Sequence, residues 1–151
     1  MNKIIGIDPD IEKCGVCELV DGKIKDLYCL SVPELIDKIV PWCIEQGYRI
    51  GIENTLKVSA VYSKNRKESP RVNEKIANSV GKVQGVTKVI IDYIYLHTGE
   101  KPLLVPAGVG RQTKNKAGLF RTITGWERRT NEDMRDAYAI AIYSQNKLAI
   151  N

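Results

Sequence analysis

Four acidic residues stand where apolar runs begin or stop. Asp8 closes Ile4-Ile5-Gly6-Ile7, and Glu53 closes Ile50-Gly51-Ile52. Asp133 and Asp136 lie one helical turn apart, just ahead of the apolar stretch at residues 137–142. A strand that ends in a carboxylate delivers that group to the edge or top of a sheet, and acids at i and i+3 share one helix face. If the strands and the helix converge, up to four carboxylates surround one cavity, an arrangement that only a hard cation makes tolerable. Taken singly, each acid also has a plain structural reading. Asp8-Pro9 can be a turn, Glu53 a solvated strand end, Asp133 an acid favoured by a helix N-terminus, and Asp136 a salt-bridge partner of Arg129 or Arg135.

The elements predicted around these acids suit convergence. Strands are expected at residues 3–8, 15–20 and 23–30, with Asp21-Gly22 as the hairpin turn between the second and third. A helix starts at Ser31 or Val32 with Pro33 in its first turn, and Leu35, Ile36, Ile39 and Val40 keep the helical period. Pro41 should kink it or open a second turn. A fourth strand covers residues 48–53, and a polar, basic loop follows to Pro70. Residues 71–97 read as one long helix, with a stripe of Val72, Ile76, Val80, Val83, Ile90 and Ile94 and a second stripe of Ala77, Gly81 and Gly85. A short strand at 103–105, a short helix at 117–123 and a last helix capped by Thr130 or Asn131 complete the order βββαβαβαα. That order gives an α/β fold, a mixed sheet with helices on both faces.

The 151 residues suit one domain, residues 1–151, and 43% of them are hydrophobic, enough for a core. The 23 Lys and Arg exceed the 18 acids, for a net charge of +5. With four acids gathered at one site, the remaining surface is more basic than that net figure. No apolar run is long enough to span a membrane and no leader is evident at the N-terminus, so a cytoplasmic location without membrane association is the expectation. Cys14 and Cys17 form a C-x-x-C, but no second pair or histidine accompanies them. On a strand, i and i+3 face opposite sides, so free or structural thiols are expected.

Four segments, taken in order, resemble the RuvC-type Holliday junction resolvases. Ile4-Ile5-Gly6-Ile7-Asp8-Pro9 is similar to the opening of that family, and Ile52-Glu53 to its second acidic strand end. Gly81-Lys82-Val83-Gln84-Gly85-Val86 resembles the glycine-spaced part of its long central helix. Asp133-Met134-Arg135-Asp136-Ala137-Tyr138-Ala139-Ile140-Ala141 resembles its last acidic motif. The resemblance implies a ribonuclease H-like fold with a five-stranded mixed sheet flanked by helices. It implies a homodimeric endonuclease that uses Mg²⁺ or Mn²⁺, two ions per site, to nick strands at four-way DNA junctions in recombination and repair, with other branched DNA left open as a further substrate. It further implies that Asp8, Glu53, Asp133 and Asp136 are catalytic metal ligands, and that a catalytic lysine maps to Lys114 or Lys116. Three departures stand out: Asp10 where the family has Gly, Leu56 where it often has an aromatic residue, and a short segment at residues 111–116.

The residues themselves agree with such chemistry. Phosphodiester hydrolysis needs an activated water, neutralised phosphate charge and a stabilised leaving oxygen, and two Mg²⁺ ions supply all three. An all-carboxylate donor set favours Mg²⁺ or Mn²⁺ over zinc. Lys57, Lys64, Arg66, Lys67, Arg71 and Lys75, then Arg111, then Arg128 and Arg129, flank the acidic motifs as a DNA-binding rim would. Tyr62 and Trp126 lie among them and could stack on unpaired bases, although packing is the commoner fate of such rings. The rivals are a YqgF-type nuclease acting on structured RNA, a DNA-binding module without chemistry, and a kinase-like ATPase. The paired Asp133 and Asp136 favour the resolvase over the first, and the full set of acids argues against the second. The third requires about twice this length and a phosphate-binding glycine loop that is missing here.

Overall fold

A computed structural model describes residues 1–57 and 69–149. Three strands open the chain: β1 (Lys3–Asp8), β2 (Cys14–Val20) and β3 (Lys23–Leu30). They form an antiparallel meander. Its tight hairpin is made by Asp21 at φ 48° and Gly22 at φ 80°, the paired left-handed conformations that a two-residue turn between twisted strands requires. The helix α1 (Val32–Val40) follows, then β4 (Arg49–Glu53), the long helix α2 (Pro70–Thr98), β5 (Leu103–Val105), α3 (Ala117–Thr124) and α4 (Glu132–Ala149). The sheet order is β3-β2-β1-β4-β5, with β4 parallel to both β1 and β5.

Local chemistry explains the boundaries. Ser31 and Glu34 close a reciprocal capping box at the start of α1, worth about 1 kcal/mol. Pro41 ends the regular helix, and the chain continues as a wider π turn over Pro41–Glu45. That turn drives Trp42 into the core, where its Nε1–H donates to the Glu18 carboxylate at 3.1 Å. Ser69 caps α2 through Val72 N, and Gly99 at φ 75° ends it.

Two apolar layers sandwich the sheet. Ile5, Ile7, Val16, Ile50 and Ile52 face α1 and α2, packing on Leu35, Ile39, Ile90 and Ile94. Ile4, Cys17 and Leu19 face the other way, onto Phe120, Ala137 and Ala141 of α3 and α4. Each large aliphatic side chain so buried contributes about 1.5–3 kcal/mol. Cys14 lies in the first layer and Cys17 in the second, and burial pushes both thiols up, Cys14 to about 11. All four cysteines are free. The C-x-x-C spacing therefore reflects strand alternation and makes neither a zinc nor a redox pair.

Only the C-terminal half of α2 enters the core, through Thr87, Ile90, Ile91 and Ile94. Val72 is exposed on the other half, and a Cβ at Gly81 or Gly85 would meet nothing within 4 Å. Among the described residues, no helix is long and apolar enough to cross a membrane.

Candidate active site

The parallel pairing of β1 with β4 sets Ile7 opposite Ile52, so the next residues, Asp8 and Glu53, stand side by side at the strand ends. The helix α4 brings the other two acids to the same edge. It lies close on the sheet because Gly6 on β1 and Gly15 on β2 have no side chain. A Cβ on Gly6 would run into the Ala137 carbonyl, and one on Gly15 into the Asp133 carbonyl. Asn131 caps α4 by accepting from Met134 N at 2.9 Å, which starts the helix just before Asp133. Asp133 and Asp136 then fall on consecutive turns facing the strand ends.

The electrostatics report this crowding. Burial first, and then the carboxylates of Glu53, Asp136 and Asp133, push the Asp8 carboxyl from 3.8 up to about 8, against the pull of Lys114. Glu53 is raised by burial and by Asp136, while Lys114 and the Gly108 backbone N–H pull it down. Asp133 is raised by burial, Asp10 and Asp136. Lys114 is raised chiefly by Asp136, and its ammonium lies 3.2 Å from Asp136 Oδ2. Beside these groups a cavity of about 240 Å³ is lined by Glu53, Gly108, Arg111, Lys114 and Asp136, among others.

The donor chemistry suits a hard divalent cation. At neutral pH the crowded edge keeps a proton on Asp8, and a cation would relieve the same repulsion in the proton's place. Among the described residues, no three Asp, Glu, His or Cys side chains already close around a single point as ligands to one ion.

No family model matches the chain, and no curated protein matches it. Solved structures do. Thermus thermophilus RuvC in complex with a Holliday junction substrate superposes with a TM-score of 0.58 at 15% identity, over 97% of this chain and 96% of that chain. A second T. thermophilus RuvC structure gives 0.57 at the same identity and coverage. The chain has the RuvC fold. The ribonuclease H-like architecture expected from the sequence, a five-stranded mixed sheet between helices, is the one observed.

Within this RuvC fold the remaining candidates fall unevenly. Lys114 reaches the acids, whereas Lys116 is exposed at the start of α3 and its side chain caps nothing. Arg111 lines the cavity. Lys57, Arg71 and Lys75 are exposed, the first on a 3-10 turn and the others at the start of α2. Arg129 is exposed, and Arg128 is tied to Asp26 at 2.7 Å. Lys64, Arg66, Lys67 and Tyr62 lie outside the described residues. Trp126 packs against the α3–α4 layer with the Arg128 guanidinium 4.4 Å from its ring centroid, which is the packing fate and not an open stacking platform. Asp10 caps its own turn through Ile11 N at 2.6 Å and also acts on Asp133. Asp136 pairs with Lys114 and not with the Arg129 or Arg135 of its simple salt-bridge reading.

The roles of two residues at this edge escaped the sequence reading. Asn54, next to Glu53, is buried, and its side-chain oxygen has no partner, while its backbone N–H donates to Val105 O at 2.7 Å. Arg135, between the two α4 acids, is buried as well. The signal for Arg135 was its place inside the D-x-x-D spacing; no signal in the sequence marked Asn54.

Proposed function

We propose that this chain is a metal-dependent endonuclease that hydrolyses phosphodiesters in branched DNA, with the four-way junction as its substrate and a homodimer as its working form. The observation that carries the reading is the meeting of Asp8, Glu53, Asp133 and Asp136 at one sheet edge, where three carboxylates help to hold Asp8 up to about 8. The likeness to a RuvC structure bound to a Holliday junction supports the substrate.

In this reading Asp8, Glu53, Asp133 and Asp136 hold Mg²⁺ or Mn²⁺, and the ions would supply an activated water and neutralise the phosphate. The residues of the chain do the rest. Half-buried strand ends, each following buried residues of β1 or β4, fix Asp8 and Glu53 with little freedom, so the donors are organised before substrate arrives. Lys114 presents a cation at the mouth of the acidic edge, placed to meet a phosphate oxygen or orient a water. Arg111 extends that positive charge along the cavity wall. Lys57, Arg71, Lys75 and Arg129, with Lys64, Arg66 and Lys67, supply phosphate contacts that position DNA without reading its sequence. The open Gly81 and Gly85 stripe of α2 offers a helix-pairing surface for a second copy, which would set two sites on a two-fold substrate.

The test is a labelled synthetic four-way junction incubated with the purified chain, with and without Mg²⁺, beside plain duplex and structured RNA. Mg²⁺-dependent nicking of the junction over the duplex is expected. Preferential cutting of the RNA would move the chain to the rival nuclease class, and no cutting of any substrate would end the enzymatic reading.

A further inference from the structure

Arg135 is 6% exposed, and its guanidinium pairs with no carboxylate among the described residues. An unpaired buried charge costs several kcal/mol unless hydrogen bonds replace its water. Here four do. Nε and Nη2 both donate to the Lys114 carbonyl, at 2.9 and 2.6 Å. Nη1 donates to the Thr130 carbonyl at 3.2 Å and to the Thr130 hydroxyl at 2.9 Å. The two-pronged grip on one carbonyl uses the planar fork that only arginine has.

What is gripped is informative. Residues 106–115 contain no regular helix or strand; a local turn bond from Lys114 N–H to the Gly110 carbonyl at 3.0 Å shapes the loop but does not tie it to the rest of the fold. The loop is instead pressed onto α4, where a Cβ at Gly110 would lie 2.6 Å from Asp136 Oδ1. Consecutive residues of α4 then hold Lys114 at both ends. Arg135 takes its carbonyl, and Asp136 takes its ammonium at 3.2 Å. A hydrophobic side chain at this site would avoid the cost of burying a charge, but it would leave the Lys114 and Thr130 carbonyls without this donor and could not tie down the loop.

We propose that Arg135 is a positioning residue: by clamping the Lys114 carbonyl to α4 it holds the Lys114 ammonium in register with the acidic edge. The proposal rests on the hydrolytic reading of that edge.

The experiment compares full-length wild type, Arg135→Lys, Lys114→Ala and the double variant. Three readouts are taken: amide hydrogen exchange, junction binding with Ca²⁺ in place of Mg²⁺, and single-turnover cleavage with Mg²⁺. A lysine at 135 keeps the charge and loses the fork. It should speed exchange across residues 110–116 roughly tenfold or more while the sheet stays protected. Cleavage should slow roughly ten- to a hundredfold, the scale of a misplaced catalytic group, with junction affinity within about twofold of wild type. The double variant should cut no more slowly than Lys114→Ala, because both changes remove one function. Multiplying losses, or unchanged loop exchange, would overturn the proposal. Lys114→Ala keeps the carbonyl that Arg135 grips, so its loop should stay protected even if Arg135→Lys fails to fold. Loss of protection there would show that the ammonium holds the loop, against the proposal. If wild type cuts no branched DNA, the functional reading fails, and hydrogen exchange still decides whether Arg135 is the anchor.

Discussion

Replacing Asp8 by Asn tests the crowding of charge at the edge without any substrate. The Asp8 carboxyl is raised from 3.8 to about 8, first by burial and then by Glu53, Asp136 and Asp133. An acid whose folded value lies above its unfolded one keeps a proton that the unfolded chain has released. Its contribution to stability is therefore whole below about pH 4 and is lost as pH rises through 8. At about 1.4 kcal/mol per tenfold change in proton affinity, ionising Asp8 in the fold costs on the order of 5 kcal/mol. About 4 kcal/mol of that falls between pH 5 and pH 9, and water at the mouth of the site lowers it further. Asn has nearly the same shape and never ionises. In EDTA, wild type should lose more stability than Asp8→Asn from pH 5 to pH 9. The difference should reach about 10 °C in midpoint at most, at roughly 3 °C per kcal/mol for this chain length. Thermal melts followed by circular dichroism at the two pH values measure it, and the comparison of slopes cancels any uniform effect of the substitution. Added Mg²⁺ should restore wild type at pH 9 and do less for Asp8→Asn. Parallel pH slopes for the two proteins would refute the crowded-carboxylate account.

Gly15→Ala should lift the start of α4 off β2, because the new methyl overlaps the Asp133 carbonyl. Overpacking of this kind costs about 1–3 kcal/mol, and cleavage should fall further than the melting point suggests. Glu18→Leu should destabilise the fold by about 2–4 kcal/mol in urea titrations, since the Trp42 N–H and Tyr28 O–H lose their shared acceptor. Junction affinity should fall steeply with salt, and Arg129→Ala should lower the log–log slope by about one if Arg129 contacts a phosphate. An unchanged slope removes Arg129 from the rim.

What the sequence disclosed and what it hid divide along a physical line. Asp8 and Glu53 were legible because an apolar run that stops at an acid marks both a strand and its exit. The Asp21-Gly22 hairpin was legible, and the cap of α4 was legible to within one residue, Thr130 or Asn131, because each depends on a backbone conformation or bond set by one or two neighbouring residues. The choice between Lys114 and Lys116 was not legible. Both sit in a loop with no period, and only the distance across to α4 separates them. Arg135 was hidden for a related reason. Beside two acids in sequence it reads as their salt-bridge partner, yet helical geometry turns it about 100° per residue away from them, into a loop more than twenty positions back along the chain. Gly15 carried no functional mark at all, and its role exists only because α4 crosses β2 there. Local rules thus deliver carboxylates to an edge, while long-range contact decides which cation stands among them. The same division holds for Trp126, whose basic neighbours suggested a base-stacking ring until its packing under Arg128 showed otherwise.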